Sequence, residues 1–549
     1  MAQLDGSTII ARSLKAQGVE HVFGIMGFPI VELAQVVQRE GLNYYGFRNE
    51  QSASYAAGAV GYLTGRPGVC LTVSGPGMVH AIAGLSNAWA NCWPMLLLSG
   101  APDSYQREQG AFQEAPQIDA ARPFVKLSTR PDALARVPAY IEKCVRTAMY
   151  GRPGAVYLDL PSDIIHDSLE ESVVPAPPCV PPAPKSLADP VAIVTALATL
   201  RAAKRPLVIV GKGAAYAHAE HEVRRFIDAA QLPFLASPMG KGVVPDDHAL
   251  SVAPARSLAL QEADVVFLIG ARLNWIMHFG APPRFAADVK IVQLDIAADE
   301  IGTNLPTTAA LVGDAQSVMQ QLNAALAAAP WQFSPASSWW TSLRTKIADN
   351  EALVGAMMRD DSVPMGYYRV LREVRDQLPR DAIICSEGAN TMDIGRGILL
   401  NYAPRQRLDA GTFGTMGVGP GFAIAAAVVH PGRRVFCVEG DSAFGFSGME
   451  VETACRYRLP ITFVVLNNNG IGSGEAELGD RVPPHVYTPN ARYDRIIEAF
   501  GGTGFFVNTP AELTQALRAA AHATMPTLIN VMINPQTQRK PQQFEWLTR

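Results

Sequence analysis

The sequence predicts an α/β protein of three doubly wound parallel-sheet domains. Three observations carry this. Short runs rich in Val, Ile, Leu and Phe alternate with helical stretches along all 549 residues. Those runs are apolar throughout rather than alternating with polar residues, the pattern of strands buried on both faces of a parallel sheet. The alternation is broken at VVPAPPCVPPAPKSLADP (residues 173–190), whose prolines lack the N–H and clash with a helix or a central strand, so it reads as a linker. A weaker break lies at AAAPWQFSPASSWW (residues 327–340). The expected domains are 1–170, 188–328 and 360–549, in keeping with a chain too long for one core.

The first block supplies the strand-like runs HVFGI, NYYGF, GVCLTVSGPG, PMLLLSG and GAVYLDLP. The second supplies RPLVIVGKGA, LPFLASP, ADVVFLIGARL and VKIVQLDI, and the third DAIICSEGAN, RRVFCVEGDS, PITFVVLNNNG and PTLINVMIN. In such sheets ligands sit at the C-terminal ends of the strands, so residues just after each run are the first to examine.

Composition narrows the function. Hydrophobic residues make up 48%, charged residues 17%, and the formal charge is −4, which points to no nucleic-acid partner. Apolar runs are interrupted by Gly, Pro or charge, so no membrane span is expected. Seven cysteines lie scattered without CxxC spacing and read as reduced thiols of a cytoplasmic protein. The N-terminus has no basic segment followed by an apolar run, so no signal peptide is expected.

Three segments carry chemistry. NYYGFRNEQSASYAAGAVGYLTG (residues 43–65) reads as strand, turn and a helix of small residues with Glu50 at its start. A surface glutamate favoured by the helix dipole is the plain alternative. The charge-poor AAGAVGYL argues instead for a buried helix, where a carboxyl has a tuned pKa and suits acid–base work. GTFGTMGVGPGFAIAAAVV (residues 411–429) is a glycine-rich loop that lets backbone approach a ligand closely. EGDSAFGFSGMEVETACRYRLPITFVVLNNNG (residues 439–470) sets Asp441 after one strand and asparagines after the next. Asp and Asn prefer turns on any protein. Spaced on one β-α-β unit, though, their oxygens converge at one rim as hard ligands for Mg²⁺.

This last spacing resembles the diphosphate-binding motif of thiamine diphosphate enzymes, with Ser442 where the motif usually has glycine. The other two segments resemble further parts of that family in the same order, so the likeness covers almost the whole chain. It implies the thiamine diphosphate-binding fold: a pyrimidine-binding domain first, a central domain second and a diphosphate-binding domain third. It also implies that Asp441, Asn468 and the Gly470 carbonyl hold Mg²⁺. Gly440, Ser442 and Ala443 would face the diphosphate. Met416 would sit under the cofactor, the Gly414 carbonyl would accept from its aminopyrimidine, and Glu50 would contact the pyrimidine ring. Because the family's cofactor bridges two subunits, a homodimer or homotetramer is implied.

Within the family, GAFQEAPQIDAARPFVKLSTRP (residues 110–131), SEGANTMDIGR (386–396) and the terminal RKPQQFEWLTR resemble the 2-hydroxyacyl-CoA lyases. Oxalyl-CoA decarboxylases are similar but carry Tyr-Glu where this chain has Phe112-Gln113. A neutral amide suits a hydroxyl or carbonyl, and a phenyl ring adds apolar surface. The resemblance implies cleavage of a 2-hydroxyacyl-CoA to formyl-CoA and an aldehyde or ketone, and the reverse condensation. Arg256 in APARSLAL (residues 253–260) resembles a coenzyme A contact, with Arg396, Arg405 and Arg407 as further candidates. The central domain of oxalyl-CoA decarboxylases holds ADP, and Arg152, Lys212, Arg272 and Asp295 are the matching candidates here. The family's Ile-Tyr after the asparagines is replaced by Ile471-Gly472, and Glu475 or Glu477 would approach the site instead. An oxalyl-CoA decarboxylase is the near alternative. An acetolactate-synthase-like enzyme or oxidase would hold FAD, and a non-enzymatic scaffold is the remaining one.

Overall fold

The computed structural model describes residues 2–472, 481–537 and 539–541. The N-terminal sheet has six strands in the spatial order Asn43–Gly46, His21–Gly24, Gly68–Thr72, Met95–Ala101, Ala155–Pro161, Ser128–Thr129. The C-terminal sheet also has six: Arg407–Asp409, Ile383–Ser386, Val435–Gly440, Ile461–Asn467, Thr527–Met532, Thr503–Val507. Both therefore follow one order, 2-1-3-4-6-5 along the chain, and every pairing in them is parallel. The central sheet is parallel too, with five strands: Phe234–Ala236, Pro206–Val210, Val265–Ile269, Lys290–Asp295, Thr307–Val312. In all three the order reverses between the first and third strands, which opens a crevice at their carboxyl ends.

Every strand expected from sequence is present, and the interior ones are buried along all or nearly all of their length, as in Met95–Ala101 and Ile461–Asn467. The additional strands are edges, together with a two-stranded antiparallel pair, Gln3–Asp5 with Ser168–Glu170. The proline-rich segment is irregular, as expected, and it is pinned down. Gln17 accepts from Val180 N at 2.9 Å and donates to Pro178 O at 3.0 Å, and Val180 is buried. The helix Ser338–Met358, which lies between the second and third blocks, seats Trp339, Trp340 and Leu343 in the central core. Its far end packs Val354, Met357 and Met358 against the C-terminal core.

Small residues bring three helices together: Glu50–Thr64, Pro76–Asn91 and Gly419–Val429 share one apolar cluster. A Cβ on Gly84 would stand 2.1 Å from Ser54 Oγ, and one on Gly421 would stand 2.7 Å from Ser52 O. A methyl group at either place forces the helices apart, and overpacking of that kind costs about 1–3 kcal/mol. Helix Gly419–Val429 belongs to the C-terminal unit, so this contact fixes the N-terminal and C-terminal sheets to each other within one chain.

Candidate active site

Glu50 opens its helix, with Asn49 as the N-cap accepting from Gln51 N at 2.8 Å. Its carboxyl is mostly enclosed, with 12% of the side chain exposed. The two residues before it are tied to the C-terminal unit. Arg48 N and Asn49 N donate to the Glu450 carboxylate at 3.2 and 3.0 Å, and Thr453 Oγ1 donates to it at 2.6 Å. Glu450 is buried, which pushes its carboxyl up to about 7 in spite of those donors. Glu50 Oε2 lies 3.1 Å from His80 Nδ1, on the first turns of helix Pro76–Asn91. A Cβ on Gly77 would come within 3.2 Å of Glu50 Oε1.

The loop that bears Gln113 packs against the residues just before helix Pro76–Asn91. Ser74 Oγ donates to Gln113 O at 2.8 Å, and a Cβ on Gly75 would meet that oxygen at 2.5 Å. Gln113 has φ 57°, a left-handed conformation held by this packing. Its side-chain Oε1 is buried with no hydrogen-bond partner. Phe112 beside it is exposed and meets Phe28 edge to face, ring centroids 5.7 Å apart. The loop is shaped by Glu114, which accepts from Gly110 N at 3.0 Å and Ala111 N at 3.2 Å.

At the C-terminal rim, Asp441 follows strand Val435–Gly440 and starts the helix Asp441–Ser447 with Gly440 as its N-cap. Asp441 accepts from Ser442 N at 2.8 Å and from Gly470 N at 3.0 Å. Burial outweighs these donors and pushes its carboxyl up to about 6. Asn468 is buried just before Gly470, and its amide donates to Gly472 O. Asp441, Asn468 and Gly470 thus share one turn region, as expected. No group of three or more His, Cys, Asp or Glu suited to a metal occurs among the described residues, and the expected set has one carboxylate. Ala443 is buried, and Ser442 Oγ lies 3.1 Å from Tyr487 OH. The sequence lacks the family's tyrosine after Ile471, and Tyr487, which no local pattern marks, arrives beside the same turn from further along the chain.

The loop before helix Gly419–Val429 carries Gly414, exposed at φ 69°, and Met416, half-buried. Asn87 Nδ2 donates to Thr415 Oγ1 at 3.0 Å, and Glu387 accepts from Gly417 N and, at 2.6 Å, from Gly419 N. Glu387 and Glu439 are both fully buried under this loop. Burial pushes both carboxyls up, Glu387 to about 7, and Glu387 raises Glu439 further. Sequence reasoning misses this pair, because nothing local marks two strand-end glutamates as neighbours.

In the central unit a cleft opens at the sheet's reversal point, lined by Lys212, Gly270, Arg272, Asn274 and Thr412 among others. Lys212 Nζ donates to Asn91 Oδ1 at 2.6 Å, and burial, with Arg272 nearby, pushes it down to about 7. Arg272 donates to Ala90 O at 2.7 Å. Arg152 binds Asp295 and Glu300, each at 3.0 Å. Of the four residues expected to hold a nucleotide, Lys212 and Arg272 line this cleft, while Arg152 and Asp295 pair with each other and are not among its lining residues.

The arginines expected to hold coenzyme A divide. Arg256 donates to Ile276 O at 2.8 Å, and burial lowers it to about 10, with Arg284 and Arg396 as further causes. Arg396 is held by Asp409 at 2.9 Å and Asp393 at 2.6 Å. Arg405 and Arg407 do not join them. Arg405 bonds Ala215 O and pairs with Glu220 at 3.3 Å. Arg407 is 1% exposed and donates to Asn401 Oδ1 and Leu399 O, both at 3.0 Å. It is an interior brace with no surface left for a phosphate, which corrects the expectation from sequence. Glu475, Glu477 and the terminal FEWLTR lie outside the described residues.

Three family models match the chain. They are "Thiamine pyrophosphate enzyme, N-terminal TPP binding domain" over residues 4–121, "central domain" over 193–322 and "C-terminal TPP binding domain" over 387–531. Among curated relatives, 2-hydroxyacyl-CoA lyase 1 of Mus musculus is 53% identical over 100% of this chain and 97% of its own length. The 2-hydroxyacyl-CoA lyase 1 of Homo sapiens is equally similar, 53% identical over 100% of this chain and 97% of its own. Oxalyl-CoA decarboxylase of Escherichia coli (strain K12) is 42% identical over 97% of this chain and 95% of its own.

Proposed function

Because this chain belongs to the thiamine pyrophosphate enzyme family, in the branch that holds the 2-hydroxyacyl-CoA lyases and oxalyl-CoA decarboxylases, we propose that it is a carbon–carbon lyase acting on 2-hydroxyacyl-CoA. The products are formyl-CoA and an aldehyde or ketone, and the same site runs the condensation in reverse. Bound thiamine diphosphate supplies the carbon nucleophile and the electron sink for breaking the bond next to the thioester carbonyl. The residues present fit it. A buried carboxylate at Asp441, the Asn468 amide and the Gly470 carbonyl offer oxygens for Mg²⁺. Gly440, Ser442 and Ala443, at the start of the helix Asp441–Ser447, would face the diphosphate. The Gly414 carbonyl and Met416 sit on a loop held by Glu387, and a Cβ at Gly414 would meet nothing within 4 Å, so that side is open.

The chain's own work is positional. Glu50, enclosed and oriented from both sides, would hold and give up a proton beside the cofactor's pyrimidine. Phe112 and Phe28 form an apolar lip that excludes water from the substrate.

The single observation that favours the lyase over the decarboxylase is Gln113. Its unpartnered buried Oε1, on a loop held against Ser74 and Gly75, can accept from a substrate hydroxyl. It offers no positive charge to a terminal carboxylate, whose desolvation would go uncompensated. Incubation with an equimolar mixture of oxalyl-CoA and a 2-hydroxyacyl-CoA tests this. Consumption of the hydroxyacyl thioester with little CO₂ is expected, and faster CO₂ release than formyl-CoA release makes the decarboxylase reading the right one.

Arg256 and Arg396, within each other's field, are the residues we assign to the coenzyme A phosphates. We assign a nucleotide such as ADP to the cleft of Lys212 and Arg272, with the Arg152–Asp295 pair as a further candidate contact. Exposed apolar side chains at both rims, Met26, Phe28, Val79 and Phe112 on one, Phe413, Phe446, Met449 and Ile471 on the other, support a homodimer or homotetramer. All seven cysteines are free, which supports a reducing, cytoplasmic setting. No described helix is long and apolar enough to cross a membrane.

A further inference from the structure

We propose that His80 is the proton conduit between Glu50 and water. The inference rests on the assignment of Glu50 to the cofactor's pyrimidine. A carboxyl that gains and loses a proton during cofactor activation needs a partner to pass it to, and most of Glu50 is enclosed, with 12% of the side chain exposed. Its Oε1 faces Gly77, where there is no room even for a methyl group, since a Cβ would lie 3.2 Å from Oε1 and 2.5 Å from Val73 Cγ2. Its Oε2 meets His80 Nδ1 at 3.1 Å. The His80 side chain is 57% exposed, so one edge of the ring holds the carboxyl while the rest of it lies at the surface of the chain.

The Glu50 charge also acts on Tyr44 and Cys70. Both are buried, and burial raises the phenol and the thiol far above neutrality. They stay neutral and lead only into the core. Among the described residues His80 is the one exposed titratable group bonded to Glu50.

The step balances. With Glu50 protonated, Oε2–H donates to the Nδ1 lone pair of the Nε2–H tautomer. Nδ1 takes that proton while Nε2 releases its own to water, leaving a carboxylate bonded to Nδ1–H. The return path reverses both transfers, so the contact persists in either state of Glu50. Imidazole is the side chain suited to this near neutral pH.

The test uses the full-length protein loaded with thiamine diphosphate and Mg²⁺, without any acyl-CoA. Deuterium uptake from D₂O at the cofactor's exchangeable thiazolium C2 position is followed by NMR after acid quench, and cofactor affinity is measured by calorimetry. His80→Gln keeps a hydrogen bond to Glu50 but cannot relay a proton. It is expected to slow uptake by about ten-fold or more, toward the scale of a lost acid–base group, with cofactor affinity unchanged. His80→Ala is expected to behave alike and to recover with added imidazole. Parent-like uptake in His80→Gln overturns the proposal, since orientation of Glu50 would then be the histidine's whole role. Failure of imidazole to rescue a folded, cofactor-binding His80→Ala overturns it too. Glu50→Gln serves as the control for the underlying assignment: normal uptake in that variant removes Glu50 from the pyrimidine, whatever His80 does.

Discussion

Glu450→Gln tests the clamp that holds the segment bearing Glu50. The parent carboxyl accepts from Arg48 N, Asn49 N and Thr453 Oγ1 and is 1% exposed. Burial pushes it from 4.5 to about 7. Between those two values the folded protein keeps a proton that the unfolded chain has released. Stability from this group is therefore fully present below about 4.5 and is lost as pH rises through about 7. At about 1.36 kcal/mol for each pH unit between them, the loss comes to roughly 3 kcal/mol. Glutamine keeps the shape and does not titrate. Urea denaturation of parent and variant at pH 4.5 and pH 8 isolates the effect, because the other buried acids contribute equally to both. The parent should lose roughly 3 kcal/mol more than the variant over that interval. Parallel stability–pH profiles would refute the claim that Glu450 is buried and proton-bearing at the contact between the N-terminal and C-terminal units.

Other substitutions reach the chemistry. Glu50→Gln should fold and bind cofactor with turnover lowered about 10²-fold or more, measured by steady-state formyl-CoA release. Asp441→Ala removes the one carboxylate assigned to Mg²⁺ and should raise half-saturation for both metal and cofactor, read by titrating each against activity. Gly77→Ala places a methyl group 2.5 Å from Val73 Cγ2 and 3.2 Å from Glu50 Oε1, so kcat should fall and stability should drop by about 1–3 kcal/mol, read by kinetics beside a melting curve. Gln113→Glu should weaken lyase turnover, because a carboxylate there opposes the negative charge that develops on the substrate oxygen, read by steady-state formyl-CoA release.

Interior strands are legible because burial on both faces writes a continuous apolar run, as in MLLLSGA at Met95–Ala101. The strands that sequence misses are sheet edges. Thr307–Val312 is exposed at alternate residues, Thr503–Val507 is mostly half-buried, and Arg407–Asp409 hides two charges beside one leucine. Asp441 and Gly470 are legible because a single β-α-β unit fixes their separation. Glu50 is legible because its helix is too apolar to be exposed. His80, Glu387 and Tyr487 are not, since each acquires its partner through contacts between distant segments, such as Tyr487 with Ser442. Arg407 reads as a surface charge, and only the fold reveals the carbonyl oxygens that hold it inside.

The central claim is cleavage between the thioester carbon and its hydroxylated neighbour. A 2-hydroxyacyl-CoA labelled with ¹³C at the thioester carbon, incubated with the protein, thiamine diphosphate and Mg²⁺, tests it by mass spectrometry of all products. The account predicts labelled formyl-CoA together with an unlabelled aldehyde or ketone in equal amount. Label recovered as CO₂, or intact thioester under conditions where oxalyl-CoA is decarboxylated, would contradict it.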